Sequence, residues 1–178
     1  VTTFSCSTLG VNVVTGTLTD GSGNTFSDVV SVTVVDSESP TVSAVMSHEV
    51  FLNSSGLASI VNGDVVSSMG DNCGVVVSLS QTTFSCSDLS DPTITLTAVD
   101  PSGNSGNDSM VITVTDMIAP SFDVSGSFGV SLNSSGLYGL TVGDVINNAT
   151  DNCVTVVQSL NVTTFSCSTL GVNVVTGT

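Results

Sequence analysis

Asp20, Asn24, Asp100 and Asn104 stand at the ends of two D-x-S-G-N segments, and Asp36 and Asp116 each close a β-branched run four residues before a proline, Pro40 and Pro120. Carboxylate and amide oxygens drawn from loops and linkers are the ligands that Ca2+ prefers, six to eight of them around one ion. Ca2+ is therefore the candidate cofactor, with Asp20, Asn24, Asp36, Asp100, Asn104 and Asp116 as candidate ligands. Asp71 and Asp151 occupy further loops. The competing reading is that these side chains only close Asx-type turns on their own backbone. Neither an EF-hand nor another dense carboxylate loop occurs in the sequence.

Five cysteines offer the second chemistry. Cys73 and Cys86 lie 13 residues apart, and Cys153 and Cys167 lie 14 apart. Cys6 copies Cys167, so its partner is expected in a preceding copy of the repeat. The expected disulfides are thus Cys73–Cys86 and Cys153–Cys167. Each closes a loop worth about 3 kcal/mol, and together they imply an oxidising, extracellular setting. Zinc and a reactive thiol are the alternatives, but zinc needs four convergent ligands and a repeat unit offers two cysteines and at most one histidine.

Asn53, Asn107, Asn133, Asn148 and Asn161 head N-x-[ST] sequons and are candidate glycan acceptors. Asn53 and Asn133 occupy the same turn in two related segments, so a glycan there would recur at every domain. A chain rich in Asn, Ser and Thr also produces sequons by chance. His48 is the only histidine, which leaves no nucleophile–histidine constellation, and Glu38 and Glu49 read as solvated. The chain is not expected to be an enzyme.

The charge balance narrows the partners. With 15 acidic residues and no Lys or Arg, the formal charge is −15. Nothing in such a chain can displace counterions from phosphate, which argues against nucleic acid and anionic membrane as partners. No apolar run reaches the roughly 18–20 residues that span a bilayer.

Repeats position these residues. Residues 1–17 recur unchanged as residues 162–178, a period of 161. TTFSC occurs at Thr2–Cys6, Thr82–Cys86 and Thr163–Cys167, so two diverged units of about 80 residues make up the period. LNSSGL (52–57, 132–137), GDV (63–65, 143–145) and DNC (71–73, 151–153) recur in step. Val29–Val35, Thr93–Val99 and Ser109–Thr115 alternate at period two and are separated by NSSG, DGSGN, DPSGN and NGD turns. Short β-branched runs at this spacing predict an all-β sandwich. The predicted organisation is the C-terminal part of one domain over 1–36, a complete domain over 37–116, and the N-terminal part of a further domain over 117–178, completed by the next copy. Two continuations are open: one continuous chain, which the identical ends favour, or subunits that lend Leu18–Asp36 to a neighbour as a donor strand.

D-N-C at Asp71–Cys73, F-S-C at Phe84–Cys86, D-P-S-G-N at Asp100–Asn104 and I-T-V-T-D at Ile112–Asp116, with Pro120 beyond, together resemble the hyalin (HYR) repeat of extracellular, bacterial-type surface proteins. The second unit matches through Asp151–Cys153, Phe165–Cys167, Asp20–Asn24 and Asp36, and it carries Val154 where Gly74 follows the first DNC. The resemblance implies tandem immunoglobulin-like β-sandwich domains in a linear array that act as spacers or adhesive stalks. The expected function is a structural component of an extracellular filament or cell-surface stalk, with neighbouring copies of itself as partners. The alternative is an adhesin module that recognises a surface or glycan partner. Tyr138 as the only tyrosine and the lack of Trp argue against a carbohydrate platform.

Overall fold

A computed structural model describes residues 3–153 and 156–178. Its strands, in chain order, begin with β1 (Gly10–Thr19), β2 (Thr25–Val34), β3 (Thr41–Ala44), β4 (His48–Phe51) and β5 (Leu57–Ser59). They continue with β6 (Val66–Gly70), β7 (Val76–Leu79), β8 (Thr83–Ser85), β9 (Thr93–Val99) and β10 (Ser105–Thr115). The last four are β11 (Ser121–Val124), β12 (Leu137–Gly139), β13 (Ile146–Thr150) and β14 (Thr164–Ser166). Helix is confined, among the described residues, to two single turns, α1 (Asn62–Val65) and α2 (Val142–Val145), and three short 3-10 turns that begin at Cys6, Cys86 and Cys167. The fold is all-β.

The period-two pattern works as expected where a core exists to receive it. In β9, Ile94, Leu96 and Ala98 are fully buried, while Thr93, Thr95 and Thr97 face outward or lie at the margin. β9 pairs antiparallel with β10 from Val99↔Ser105 to Thr93↔Val111, and with β7 from Val99↔Val76 to Leu96↔Leu79. These strands form a sheet of order β4-β10-β9-β7. β1 and β2 form a separate hairpin, in register from Gly10↔Val34 to Thr19↔Thr25. The pairs β3–β6 and β5–β8 recur one repeat later as β11–β13 and β12–β14.

Two compact units result. One contains the described residues up to Glu49 together with Ser59–Thr82 and Asp91–Thr113; the other contains Val50–Ala58, Thr83–Ser90 and the described part of Val114–Thr178. The first buries Val65, Ile94, Leu96 and Ile112. In the second, Leu140, Val145 and Ile146 form a core flanked by Tyr138, Leu160, Phe165 and Val175. The second unit also has an open cleft of about 590 Å3 whose walls include Phe128, Val130, Leu132, Val145, Phe165 and Val172.

The recurrent motifs are turn devices. In LNSSGL, Asn53 Oδ1 accepts the Ser55 and Leu57 N–H groups, and Asn133 does the same for Ser135 and Leu137. Gly56 and Gly136 take φ of 70° and 72°, a region that costs glycine little. In GDV, the aspartate caps the helical turn. Asp64 accepts the Val61 N–H, and Asp144 accepts both the N–H and the hydroxyl of Thr141. These donors hold the Asp144 carboxyl below its usual range against the opposing effect of partial burial.

The cysteines pair otherwise than spacing suggested. The bonds are Cys6–Cys73 and Cys86–Cys153, each across 67 residues, and Cys167 is an exposed free thiol. Neither Cys73–Cys86 nor Cys153–Cys167 forms, and Cys6 finds its partner inside the chain. The reason lies in the sheets. Cys73 leads into β7, which pairs with β9, whereas Cys86 follows β8, which pairs with β5, so the chain carries the two cysteines to different places. The FSC cysteines Cys6 and Cys86 instead meet the DNC cysteine of the following repeat, with Cα atoms 5.3 and 5.1 Å apart, within the span a disulfide bridges. Two disulfides place the chain in a non-reducing environment.

Two predictions follow from local geometry. A Cβ at Gly106 would overlap the carbonyl oxygen of Pro40, whereas one at Gly139 meets nothing. Gly106→Ala should destabilise the protein by about 1–3 kcal/mol in urea unfolding, as overpacking does, and Gly139→Ala should stay within about 0.5 kcal/mol of the parent. Because the Asp144 carboxyl is lowered in the folded state, its contribution is complete above the unfolded value of about 3.9 and fades as pH falls through the lower folded value. The stability gap between the parent and Asp144→Asn should therefore be constant from neutral pH to about pH 5 and close below about pH 4; a gap that widens on acidification would contradict the cap.

Candidate metal centre

Three segments of the first unit bring carboxylates together. Asp36 follows β2, Asp71 follows β6, and Asp100 opens the turn between β9 and β10. One oxygen from each lies within 4.8 Å of the other two. The chain has no Lys or Arg to pair with the cluster.

Each aspartate is held by neutral donors. In the β9–β10 turn, Asp100 N–H donates to the Asn104 carbonyl and Gly103 N–H to the Asp100 carbonyl, with Gly103 at φ 92°. Asp100 Oδ1 accepts the Asn104 N–H at 2.8 Å, and Oδ2 accepts the Asn104 side-chain amide at 2.7 Å. Asp100 is 5% exposed. Burial pushes its carboxyl up, but the bonds from Asn104, Gly103 and Ser102 outweigh that and hold it below the usual range. The Asn104 amide also donates to the Asp36 carbonyl at 3.2 Å, which ties the linker to the turn. Asp36 Oδ1 accepts the Glu38 N–H and the Asn72 amide, and Asp71 Oδ2 accepts the Cys73 N–H at 2.7 Å. Asp36 Oδ2 and Asp71 Oδ1 are buried and have no hydrogen-bond partner among the described residues.

The sequence-derived ligand set divides accordingly. Asp36, Asp100 and Asn104 converge. Asp71, placed in a loop but left out of that set, completes the cluster; its recurrence in DNC was the available signal. Asp20 and Asn24 form the same turn as Asp100 and Asn104, but they are exposed and closed on themselves. Asp20 Oδ1 accepts the Ser22 and Asn24 N–H groups and Oδ2 the Asn24 amide, and the Asn24 bonds, the side-chain one foremost, lower its carboxyl. Asp116 belongs to the second unit, where its Oδ1 accepts the Ile118 N–H and the Asn152 amide. This repeats the Asn72–Asp36 contact one repeat later, and Asn152 Oδ1 is likewise buried without a partner among the described residues.

The remaining candidates are dispersed. Asn53, Asn107, Asn133, Asn148 and Asn161 are all exposed. The Asn148 amide donates to Asp123, and Asn161 Oδ1 accepts the Thr176 N–H. Tyr138 packs against the core of the second unit. No helix among the described residues is long and apolar enough to cross a membrane.

No family model matches the chain. Among curated proteins, the chain is 30% identical over 136 residues to an "Uncharacterized 81.3 kDa protein" of Acholeplasma phage L2. The match covers 74% of this chain and 18% of that protein, so the chain spans under a fifth of its relative's length.

The twin D-x-S-G-N turns provide an internal control. Asn104→Ala removes the side-chain amide donor of a buried carboxylate and its bond to the Asp36 carbonyl, whereas Asn24→Ala removes the amide donor of an exposed carboxylate that water can solvate. The urea midpoint should fall several-fold further for Asn104→Ala. Equal losses would show that burial adds nothing to the clamp.

Proposed function

We propose that this chain is a structural segment of an extracellular filament or cell-surface stalk, built from tandem immunoglobulin-like sandwich repeats, each covalently tied to its neighbour. The observation that carries this reading is a matched pair of bare surfaces. In the complete repeat, β9 and β10 bury Ala98, Met110, Ile112 and Val114. Their equivalents in the β1–β2 hairpin are Leu18, Val30, Val32 and Val34, and Leu18 and Val30 are 74% and 58% exposed. Val50 and Leu52 are buried in the complete repeat, but the equivalent Val130 is 40% exposed and Leu132 lines the open cleft. Among the described residues, the second repeat carries no counterpart of the β9–β10 hairpin. Residues 162–178 equal residues 1–17, so a copy of Leu18–Asp36 is the natural continuation.

The cysteines support the same arrangement. Both disulfides join an FSC cysteine to a DNC cysteine 67 residues on. Cys167, identical in context to Cys6, is therefore matched to the Cys73 of a following copy. A bond across every repeat boundary suits a part that carries tension, and repeat stability is then a sum of unit and junction contributions. Exposed sequons at the recurrent LNSSGL turn would place glycans at regular intervals along such an array.

A chain extended beyond Thr178 by a copy of Leu18–Asp116 provides the test. Hydrogen exchange at Val130 and Leu132 should slow, and the second unit should melt at a higher temperature. Peptides cut at aspartate, since trypsin has no site, should link Cys167 to the Cys73 equivalent of the added copy. Unchanged exchange together with a Cys153–Cys167 or Cys73–Cys86 link would refute the array.

A further inference from the structure

We propose that Asp36, Asp71 and Asp100 hold a single Ca2+ ion. Turn formation accounts for part of the cluster only. The exposed Asp20–Asn24 turn makes the same hydrogen bonds as Asp100–Asn104, so those bonds need no ion. They leave Asp36 Oδ2 and Asp71 Oδ1 unexplained, because both atoms are buried and unpartnered among the described residues. Leaving a buried charged oxygen without a donor is costly, and here two of them share a site with a third, nearly buried carboxylate. A protein normally answers such a cluster with Lys or Arg, and this chain has neither. A cation bound among the three carboxylates, one oxygen of each lying within 4.8 Å of the others, supplies the missing charge.

The donor chemistry selects the ion. All three ligands are hard oxygens, and the nearest sulfur chemistry is closed because Cys73 is in a disulfide. Three oxygens no more than 4.8 Å apart can all lie within about 2.8 Å of one point, a few tenths of an ångström outside Ca2+–oxygen bonds and far outside the ~2.1 Å that Mg2+ demands. Three side chains leave further positions to water, which suits the weak class of extracellular Ca2+ sites with Kd of ~10⁻⁴–10⁻³ M. The Asn104 amide and the Asn72 amide already fix the linker at Asp36, so the ion closes a preformed ring and does not gather loose loops. The inference uses residues of this chain alone and stands apart from the array reading.

The test uses the full chain stripped of metal. Its thermal midpoint should rise saturably with Ca2+ over ~0.1–10 mM and not with NaCl at matched ionic strength. Asp71→Asn should weaken the response at least tenfold, whereas Asp28→Asn, which removes the same charge from an exposed strand, should leave it intact. Should Asp71→Asn fail to fold, the parent protein decides the matter with Gd3+ as a paramagnetic stand-in. Broadening should centre on the Asn72, Cys73 and Asn104 amides and be reversed by excess Ca2+. No saturable response, equal loss in Asp28→Asn, or broadening spread over the acidic surface would overturn the proposal. So would a midpoint that rises on acidification without responding to Ca2+, which would mean that the carboxylates share a proton instead.

Discussion

A chain with 15 acidic residues and no lysine or arginine has, His48 apart, only backbone N–H groups, hydroxyls and amides to satisfy its carboxylates. That constraint shapes the whole fold. Asp20 and Asp100 close hairpins, Asp64 and Asp144 cap helical turns, and Asp88 accepts the Ser85 N–H at the FSC turn. Asp108 takes the Ala44 N–H across 64 residues, and these backbone donors hold its carboxyl low. Carboxylates that would ordinarily form surface ion pairs instead mark where strands begin and end. Charge is thereby converted into turn geometry, and hydrogen bonds of this charge-assisted kind are among the stronger ones available.

Strand positions were readable because they depend on local chemistry. Alternating Val, Ile and Thr between Gly- and Asn-rich turns marks β9 and β10 whatever they pack against. Burial was not readable in the same way. β1 and β2 carry the same alternation and form the same hairpin, yet most of their apolar side chains remain exposed, because burial depends on what the rest of the chain supplies. The disulfides went wrong for a related reason. A spacing of 13 or 14 residues says that two cysteines are near in sequence, but the intervening chain moves from one strand pairing to another and separates them.

The residues of the carboxylate cluster divide along the same line. Asp100 and Asn104 were legible as a turn, and the turn is there, but the identical signature at Asp20–Asn24 yields an exposed loop. What distinguishes them is the linker at Asp36 lying against one and not the other, a contact across 68 residues that no local pattern encodes. Asp71 was legible only as a member of a recurring tripeptide. Its role emerges from three segments meeting, which is a property of tertiary structure.

The DNC tripeptide condenses these themes. Its three consecutive residues face three different tasks: Cys73 bonds covalently to Cys6, the Asn72 amide holds the linker at Asp36, and Asp71 contributes a half-buried carboxylate with one buried oxygen. One repeat later, Cys153 bonds to Cys86 and the Asn152 amide holds Asp116. The covalent bond and the amide clamp thus recur together at both repeat boundaries, although the residues around them have diverged. A disulfide limits how far two segments can separate but leaves them free to swivel, and a single amide bond to a linker removes part of that freedom. Placing both on adjacent residues makes each more effective, since the disulfide keeps the amide and its acceptor within reach after thermal opening. The carboxylate beside them adds no such restraint by itself, since the chain has no lysine or arginine to pair with it.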